Sequence, residues 1–247
     1  MYIKQTNSTN RLMQTMLDRE DGFYIVTDYQ SEGRGQVGNV WESERGQNIL
    51  VSILLHPHIA TSQQFRLAML TGLAVVEAMD KFTMHDARCT MPMHDARCTI
   101  KWPNDIYYKD KKLGGILIEN RLEQGQVKDS IIGLGLNINQ TTFVSDAPNP
   151  ISLKQITGRE ENRESILQAV LERLRALQPL LDDAREQELK QRYIARLYRR
   201  FGWHEYEDAA GRFRAEWVGL GKAGEWIVKT EQGEERTYLL KQIKFIL

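Results

Sequence analysis

The run Asn48-Ile49-Leu50-Val51-Ser52-Ile53-Leu54-Leu55 constrains the fold more than any other segment. It is a nearly continuous apolar stretch of strand length, far too short to cross a bilayer. It lacks the polar alternation of a strand with one wet face. Such a run suits a strand buried on both faces, which calls for cover above and below. The next segment, Thr61 to Phe82, supplies cover. Phe65, Ala68, Met69, Gly72, Leu73 and Val76 fall on one helical face, and Thr61-Ser62-Gln63-Gln64 fits a capping box at its start.

The remaining segments sort by the same rules. Residues 1–22 read as a short strand and then a helix carrying Leu12, Met13, Met16 and Leu17 at helical spacing. Phe23–Asp28 reads as a strand. Residues 29–47 have no periodicity and hold Gly33, Gly35, Gly38 and Gly46, a long loop of the sort that is usually functional or mobile. Strands are expected at Thr99–Trp102, Ile106–Tyr108, Leu113–Arg121 and Val127–Ile138, with a hairpin turn at Lys109-Asp110-Lys111-Lys112. Residues 139–150 form a connection, and 163–200 a helical block broken near Pro179. From Phe201 to Leu247, short alternating runs between Gly and charged turns predict four or five strands. The expected fold class is α/β (α+β). A mixed sheet with helices mainly on one face occupies residues 1–200, and a small β-barrel domain occupies 201–247.

Composition removes several function classes. Lys and Arg number 33 and so do Asp and Glu, which gives zero net charge and disfavours a chain built to coat nucleic acid or anionic membrane. The N-terminus turns polar at once, so no secretory signal is expected and the chain reads as soluble and cytoplasmic. Cys89 and Cys98 cannot form a disulfide framework, and a bridge between them is disfavoured in a reducing compartment. His56, His58, His85, His94 and His204 show no metal-ligand spacing, and no Gly-x-Ser-x-Gly elbow is present. One oddity is a seven-residue duplication, 84–90 repeated at 93–99, read as a tandem insertion in a helix-to-strand loop.

Four segments carry candidate chemistry. Ser8-Thr9-Asn10 reads first as a helix cap, although its hydroxyls can equally hold a small polar head group. In Gly33-Arg34-Gly35-Gln36-Val37-Gly38, followed by Trp41, glycines bring N–H groups toward an anion and Arg34 adds a planar guanidinium. A flexible surface loop fits that segment as well. Lys101-Trp102-Pro103-Asn104-Asp105 breaks a ladder between two strands and can present Lys101, Asn104 and Asp105 at a strand end; a solvated turn is the plain alternative. Finally, Lys112-Leu113-Gly114-Gly115 faces Gly133-Leu134-Gly135-Leu136-Asn137. Glycine weakens a strand unless something must approach the backbone, so either a ligand lies across the sheet or a helix packs tightly on it.

In order and spacing, these segments together resemble the biotin–protein ligases. The resemblance covers about residues 1–180 as the catalytic domain, and the tail looks like that family's small C-terminal barrel. It implies a class II aminoacyl-synthetase-like sheet with an Src-homology-3-like module behind it. It also implies a two-step reaction, in which biotin and MgATP give biotinyl-5′-adenylate and pyrophosphate, and a lysine of a biotin carboxyl carrier protein then attacks the adenylate. By that resemblance Lys112 is the principal catalytic group, joined by Arg34, Lys101 and Asp105, with Asp105 orienting the incoming amine. Ser8, Thr9, Asn10, Gln30, Gly33, Arg34, Gly35, Gln36, Lys112, Gly114 and Gly115 hold biotin. Arg34, Trp41, Asn104, Lys112 and Asn137 hold the nucleotide. Mg²⁺ is expected with ATP and no resident metal site is identified. The partner is a carrier domain rather than DNA or membrane, and the state is monomer or homodimer.

The pattern departs from the family at Val37, where many relatives carry a second basic residue, and at Val40, where many carry a small polar one. Fewer charges beside the phosphates imply weaker retention of the adenylate. Relatives with an N-terminal helix-turn-helix act as repressors; here the first biotin motif starts at Ser8, which leaves no expected room for one. A lipoate ligase shares the fold, but Lys101–Asp105 and Gly33–Gln36 favour biotin. A non-catalytic binder is the third reading, and intact Arg34, Lys101 and Lys112 speak against it.

Overall fold

The computed structural model of the chain describes residues 1–36, 39–83, 97–144 and 149–247. Val37 and most of the duplicated segment, Cys89 included, lie outside the described residues. From the N-terminus, β1 (Tyr2–Ile3), α1 (Thr9–Met13) and β2 (Tyr24–Thr27) lead to β3 (Ile49–Leu55), the strand expected from the apolar run. Then come β4 (Ile59–Ala60), α2 (Phe65–Thr83), β5 (Cys98–Lys101), β6 (Asp105–Tyr108), β7 (Lys111–Glu123) and β8 (Gln126–Leu136). These strands form one sheet in the order β1-β2-β3-β8-β7-β6-β5, with β4 also paired to β8. The β1–β2 ladder is parallel and the others are antiparallel.

Every residue of β3 is buried. Alternation sends Ile49, Val51, Ile53 and Leu55 into the large core beneath α2, while Leu54 joins Met13, Ile25 and Ile131 in a small core on the opposite face. The helices α3 (Leu153–Thr157), α4 (Arg163–Leu177) and α5 (Glu186–Ala195) follow the sheet. α2 is wrapped by the sheet on one side and by α4 and α5 on the other, so it is buried around most of its circumference. Glu77 on α2 accepts hydrogen bonds from Arg192 on α5 at 2.9 and 3.1 Å, a polar clamp on the outer side of that layer.

Two local expectations change. The helix carrying Leu12, Met13, Met16 and Leu17 ends at Met13, and tight turns take over with Thr15 N–H on Leu12 O and Met16 N–H on Met13 O. All four side chains still reach the small core, so the periodicity records burial rather than helix length. The box expected at Thr61–Gln64 does not form either. Gln63 Oε1 accepts the Ala60 N–H at 3.0 Å, one residue earlier, while Gln64 Oε1 accepts from Asn120 on the sheet.

The tail forms β9 (Trp203–Asp208), β10 (Gly211–Leu220), β11 (Trp226–Thr230), β12 (Glu235–Tyr238) and β13 (Lys244–Phe245), in the order β12-β11-β10-β9-β13. Its buried Tyr206, Trp226, Tyr238 and Phe245 belong to the same continuous core as the large sheet. No described helix is long and apolar enough to cross a membrane.

At the edge of the small core, His56 Nδ1 lies 2.8 Å from Asp129 Oδ1 and its Nε2 lies 2.9 Å from the Arg19 carbonyl. Burial pushes the histidine pKa down, but the Arg19 carbonyl and the Asp129 carboxylate outweigh it, and the net shift is upward. Folding therefore favours the histidinium. Its contribution is complete below the unfolded value of about 6.5 and disappears as pH rises through the raised folded value. Urea denaturation of wild type and His56→Gln should show a stability gap that is widest below about pH 6 and shrinks above it. A gap independent of pH would mean that the imidazole acts only by packing.

Candidate active site

Register across β3, β8 and β7 sets three rows of residues side by side. Leu50, Gly135 and Gly115 form one; Ser52, Gly133 and Leu117 the next; Leu54, Ile131 and Glu119 the third. The glycines clear ground for two of the chain's own side chains. A Cβ at 135 would lie 2.4 Å from Cε2 of Trp41, and one at 133 would lie 2.4 Å from Oδ1 of Asn10. The close approach expected at these glycines is thus made by an indole and an amide.

Over the middle row sits a neutral polar cluster from α1 and the loop after β2. Gln30 Oε1 accepts from Thr9 N (2.7 Å) and Thr9 Oγ1 (3.0 Å). Ser52 Oγ is 2.5 Å from Asn10 Oδ1 and 2.7 Å from Thr9 Oγ1. Ser8 occupies the N-cap position but its hydroxyl makes no capping bond, so the cap reading of that segment is not what its side chain does.

Positive charge gathers at the other end. Lys112 Nζ pairs with Asp105 Oδ1 at 2.7 Å and lies 6.0 Å from the Trp41 ring centroid. Lys101 Nζ donates to Tyr107 Oη at 3.1 Å, over the rings of Tyr107 and Phe245. Burial lowers the Lys101 pKa, and the charges of Lys112 and Arg199 lower it further against the pull of Asp105. The glycine-rich loop folds back on itself, with Gly35 N–H on Asn39 O and Trp41 N–H on Gly33 O, both at 3.0 Å. That hairpin carries Arg34 to Glu119, Nη1 to Oε1 3.1 Å.

These groups surround a cleft of about 380 Å³. Of the residues singled out from sequence, Ser8, Thr9, Asn10, Gln30, Arg34, Gly35, Gln36, Trp41, Lys101, Asn104, Asp105, Lys112 and Gly115 line it. Gly33, Gly114 and Asn137 do not. A Cβ at 33 would strike the Trp41 carbonyl at 2.2 Å, and one at 114 would strike Leu136 at 2.5 Å, so these two glycines serve backbone packing. Asn137 is buried; its N–H donates to Leu113 O and its side chain to Ile151 O, which braces the strand of Lys112 from behind. Asn104 lines the cleft, yet its amide donates to Ile116 O at 2.5 Å and fixes the turn. Sequence reasoning passed over Ser52, Glu119, Tyr107 and Phe245. The first two carried a signal, being polar residues inside strands that read as apolar, where a partner is obligatory. Among the described residues, no three His, Cys, Asp or Glu side chains converge as a metal ligand set.

Comparison with known proteins gives a consistent picture. Residues 2–137 match the biotin/lipoate A/B protein ligase family. The chain is 33% identical over 156 residues to the bifunctional ligase/repressor BirA of Bacillus spizizenii, covering 61% of this chain and 44% of that one. It is 28% identical over 181 residues to the biotin–[acetyl-CoA-carboxylase] ligase of Mycobacterium tuberculosis, covering 70% and 62%. The alignment thus spans about half the length of the BirA relatives. In structure it is similar to the biotin protein ligase of Aquifex aeolicus in complex with biotin and ATP, with a TM-score of 0.76, 25% identity, and coverage of 99% and 97%.

The Gly135 contact has a direct consequence. Gly135→Ala should drive the Trp41 indole off the sheet, at a cost of about 1–3 kcal/mol for an overpacked site. Trp41 emission should shift to the red in Gly135→Ala, and the difference between the two proteins should vanish in a Trp41→Phe background. An unchanged spectrum would place the indole elsewhere.

Proposed function

The chain belongs to the biotin/lipoate A/B protein ligase family, and on that premise we propose that it attaches biotin to a lysine of a biotin carboxyl carrier protein at the expense of ATP. The observation that carries this reading is the polarity of the cleft. Neutral donors and acceptors on Ser8, Thr9, Asn10 and Gln30 occupy one end, where Glu119 holds Arg34 beside Asn10, and Lys101 and Lys112 stand at the other, around Asp105. A ligand with an uncharged hydrogen-bonding head, an apolar chain and an anionic tail matches that order, and the Trp41 indole, over Gly135 and centred 6.0 Å from Lys112 Nζ, lines the stretch between.

In the first step a biotin carboxylate oxygen attacks the α-phosphorus of ATP, and pyrophosphate leaves with the bonding pair. Two anions meet, so the barrier is largely electrostatic and fixed positive charge lowers it. Lys112 takes this role, held against Trp41 and Asp105. Arg34 closes from the loop. Mg²⁺ would enter with the ATP phosphates, keeping several of its waters. In the second step the carrier lysine's neutral amine attacks the acyl carbon, AMP departs, and the amine loses a proton. Asp105 faces this position and orients the amine. Arg34 and Trp41 wall the cleft and keep water from the mixed anhydride, which it would otherwise hydrolyse. We assign residues 1–200 to this catalytic unit and 201–247 to a barrel that walls the cleft through Ile243, Lys244 and Phe245.

Purified protein with biotin, MgATP and an apo carrier domain should release pyrophosphate and label the carrier. Lys112→Ala should lower both rates about 10²–10³-fold, the usual loss for a group aimed at developing charge. Labelling with lipoate in place of biotin would move the chain to the other branch of the family. Binding of biotin with neither product would leave a non-catalytic binder.

A further inference from the structure

Glu119 stands in the third row of the sheet, on a strand whose neighbours Ile116, Leu117 and Ile118 are apolar. Its carboxylate has two partners at once. Oε1 takes the Arg34 guanidinium at 3.1 Å and Oε2 takes the Asn10 amide at 2.7 Å. Asn10 is buried, and its other amide atom is fixed by Ser52 Oγ at 2.5 Å. Oδ1 has only lone pairs, so the single Ser52 proton is directed to it and the Nδ2 donors are left for Glu119. The carboxylate is therefore not a free surface acid that happens to meet a loop arginine. It is held in orientation by the floor of the cleft and offers its second oxygen outward.

Resting on the ligase reading above, we infer that Glu119 is the positioning residue for Arg34. It touches neither the biotin nor the phosphates in that reading. It acts by pairing with one nitrogen of the planar guanidinium, so that Arg34 is kept at the wall of the cleft with its other donors left for an anion. A long side chain on a loop otherwise loses rotamer entropy each time it meets an anion; a standing partner on rigid sheet reduces that loss. The strand location matters, because a carboxylate on a second loop could not set direction. The same carboxylate links the loop to the neutral head-group cluster through Asn10, so Arg34 and that cluster share one reference point.

Two measurements test this, and one needs no turnover. Trypsin cleaves after Arg34 only when that side chain can leave its partner. Glu119→Gln keeps an acceptor for Asn10 but drops the charge, and should raise cleavage after Arg34 several-fold while the other tryptic sites keep their rates. Glu119→Asp should restore most of the protection. Kinetically, Glu119→Gln should lower kcat/KM for ATP in pyrophosphate release about fivefold, the upper scale of a partly exposed charged pair, with the Kd for biotin within about threefold. In an Arg34→Ala background the same substitution should have no further effect. Equal cleavage of wild type and Glu119→Gln after Arg34, or losses that multiply in the double variant, would overturn the assignment. Wild type that is protected after Arg34 but inert with biotin and ATP would refute the ligase reading and leave the tether standing.

Discussion

Antiparallel pairing of β3 with β8, and of β8 with β7, is the constraint on which the site depends. Side chains alternate across a strand, so a slip of one residue would exchange the two faces of the sheet. In the observed register the helix face receives Ile49, Val51, Ile53 and Leu55, and the other face receives Leu50, Ser52 and Leu54. Only on that second face do Gly133 and Gly135 leave room for Asn10 and Trp41. The apolar burial that fixes the register is worth about 25 cal/mol per Å², summed over a strand with every residue buried. Packing on one face thus fixes where polar groups stand on the other.

The cations of the cleft are partnered, but weakly. Lys112 and Asp105 are 24% and 22% exposed, Arg34 and Glu119 37% and 25%. Pairs with this much water contact are worth at most about 1 kcal/mol. A polyanion entering the cleft competes with a modest interaction while gaining several charge-assisted hydrogen bonds, each stronger than a neutral one. Lys101 differs, since it is held by a phenol hydroxyl and two aromatic faces, and burial already lowers its pKa. Nearby negative charge would relieve that penalty. The arrangement keeps positive charge concentrated without committing it to strong internal bridges.

How much of this could be read from sequence follows from which interactions are local. β3 was legible because eight residues in a row lacked any alternation, and the glycine pairs on β7 and β8 were legible because glycine in a strand asks for a neighbour. The identity of the neighbour was not. Trp41 and Asn10 are separated from Gly135 and Gly133 by about a hundred residues, and only the folded register joins them. Glu119 and Ser52 carried only half of the signal: a polar residue in a strand that reads as apolar asks for a partner, but the partner is named only by the folded register. Asn137 is the converse case: the resemblance assigns it to the nucleotide, whereas in the fold it is buried and its amide goes to Ile151.

The small sheet is bound to the site by an aromatic joint. Trp102 donates its indole N–H to the Gly224 carbonyl at 2.8 Å and packs 5.8 Å from Trp226, which in turn packs 5.3 Å from Phe245. Phe245 returns to the cleft beneath Lys101. Trp102 also precedes Pro103, Asn104 and Asp105, so the turn that carries Asp105 is anchored to the second sheet rather than to solvent. Aromatic pairs of this geometry add about 0.5–1.5 kcal/mol each beyond the area they bury. Two such contacts in series, with the Trp102 hydrogen bond beside them, make the tail a structural wall of the cleft, and they explain why the two sheets share one core although the chain passes between them only once. The position of Asp105 opposite Lys112 is therefore set from both sides, by the β6–β7 ladder and by the tryptophan joint.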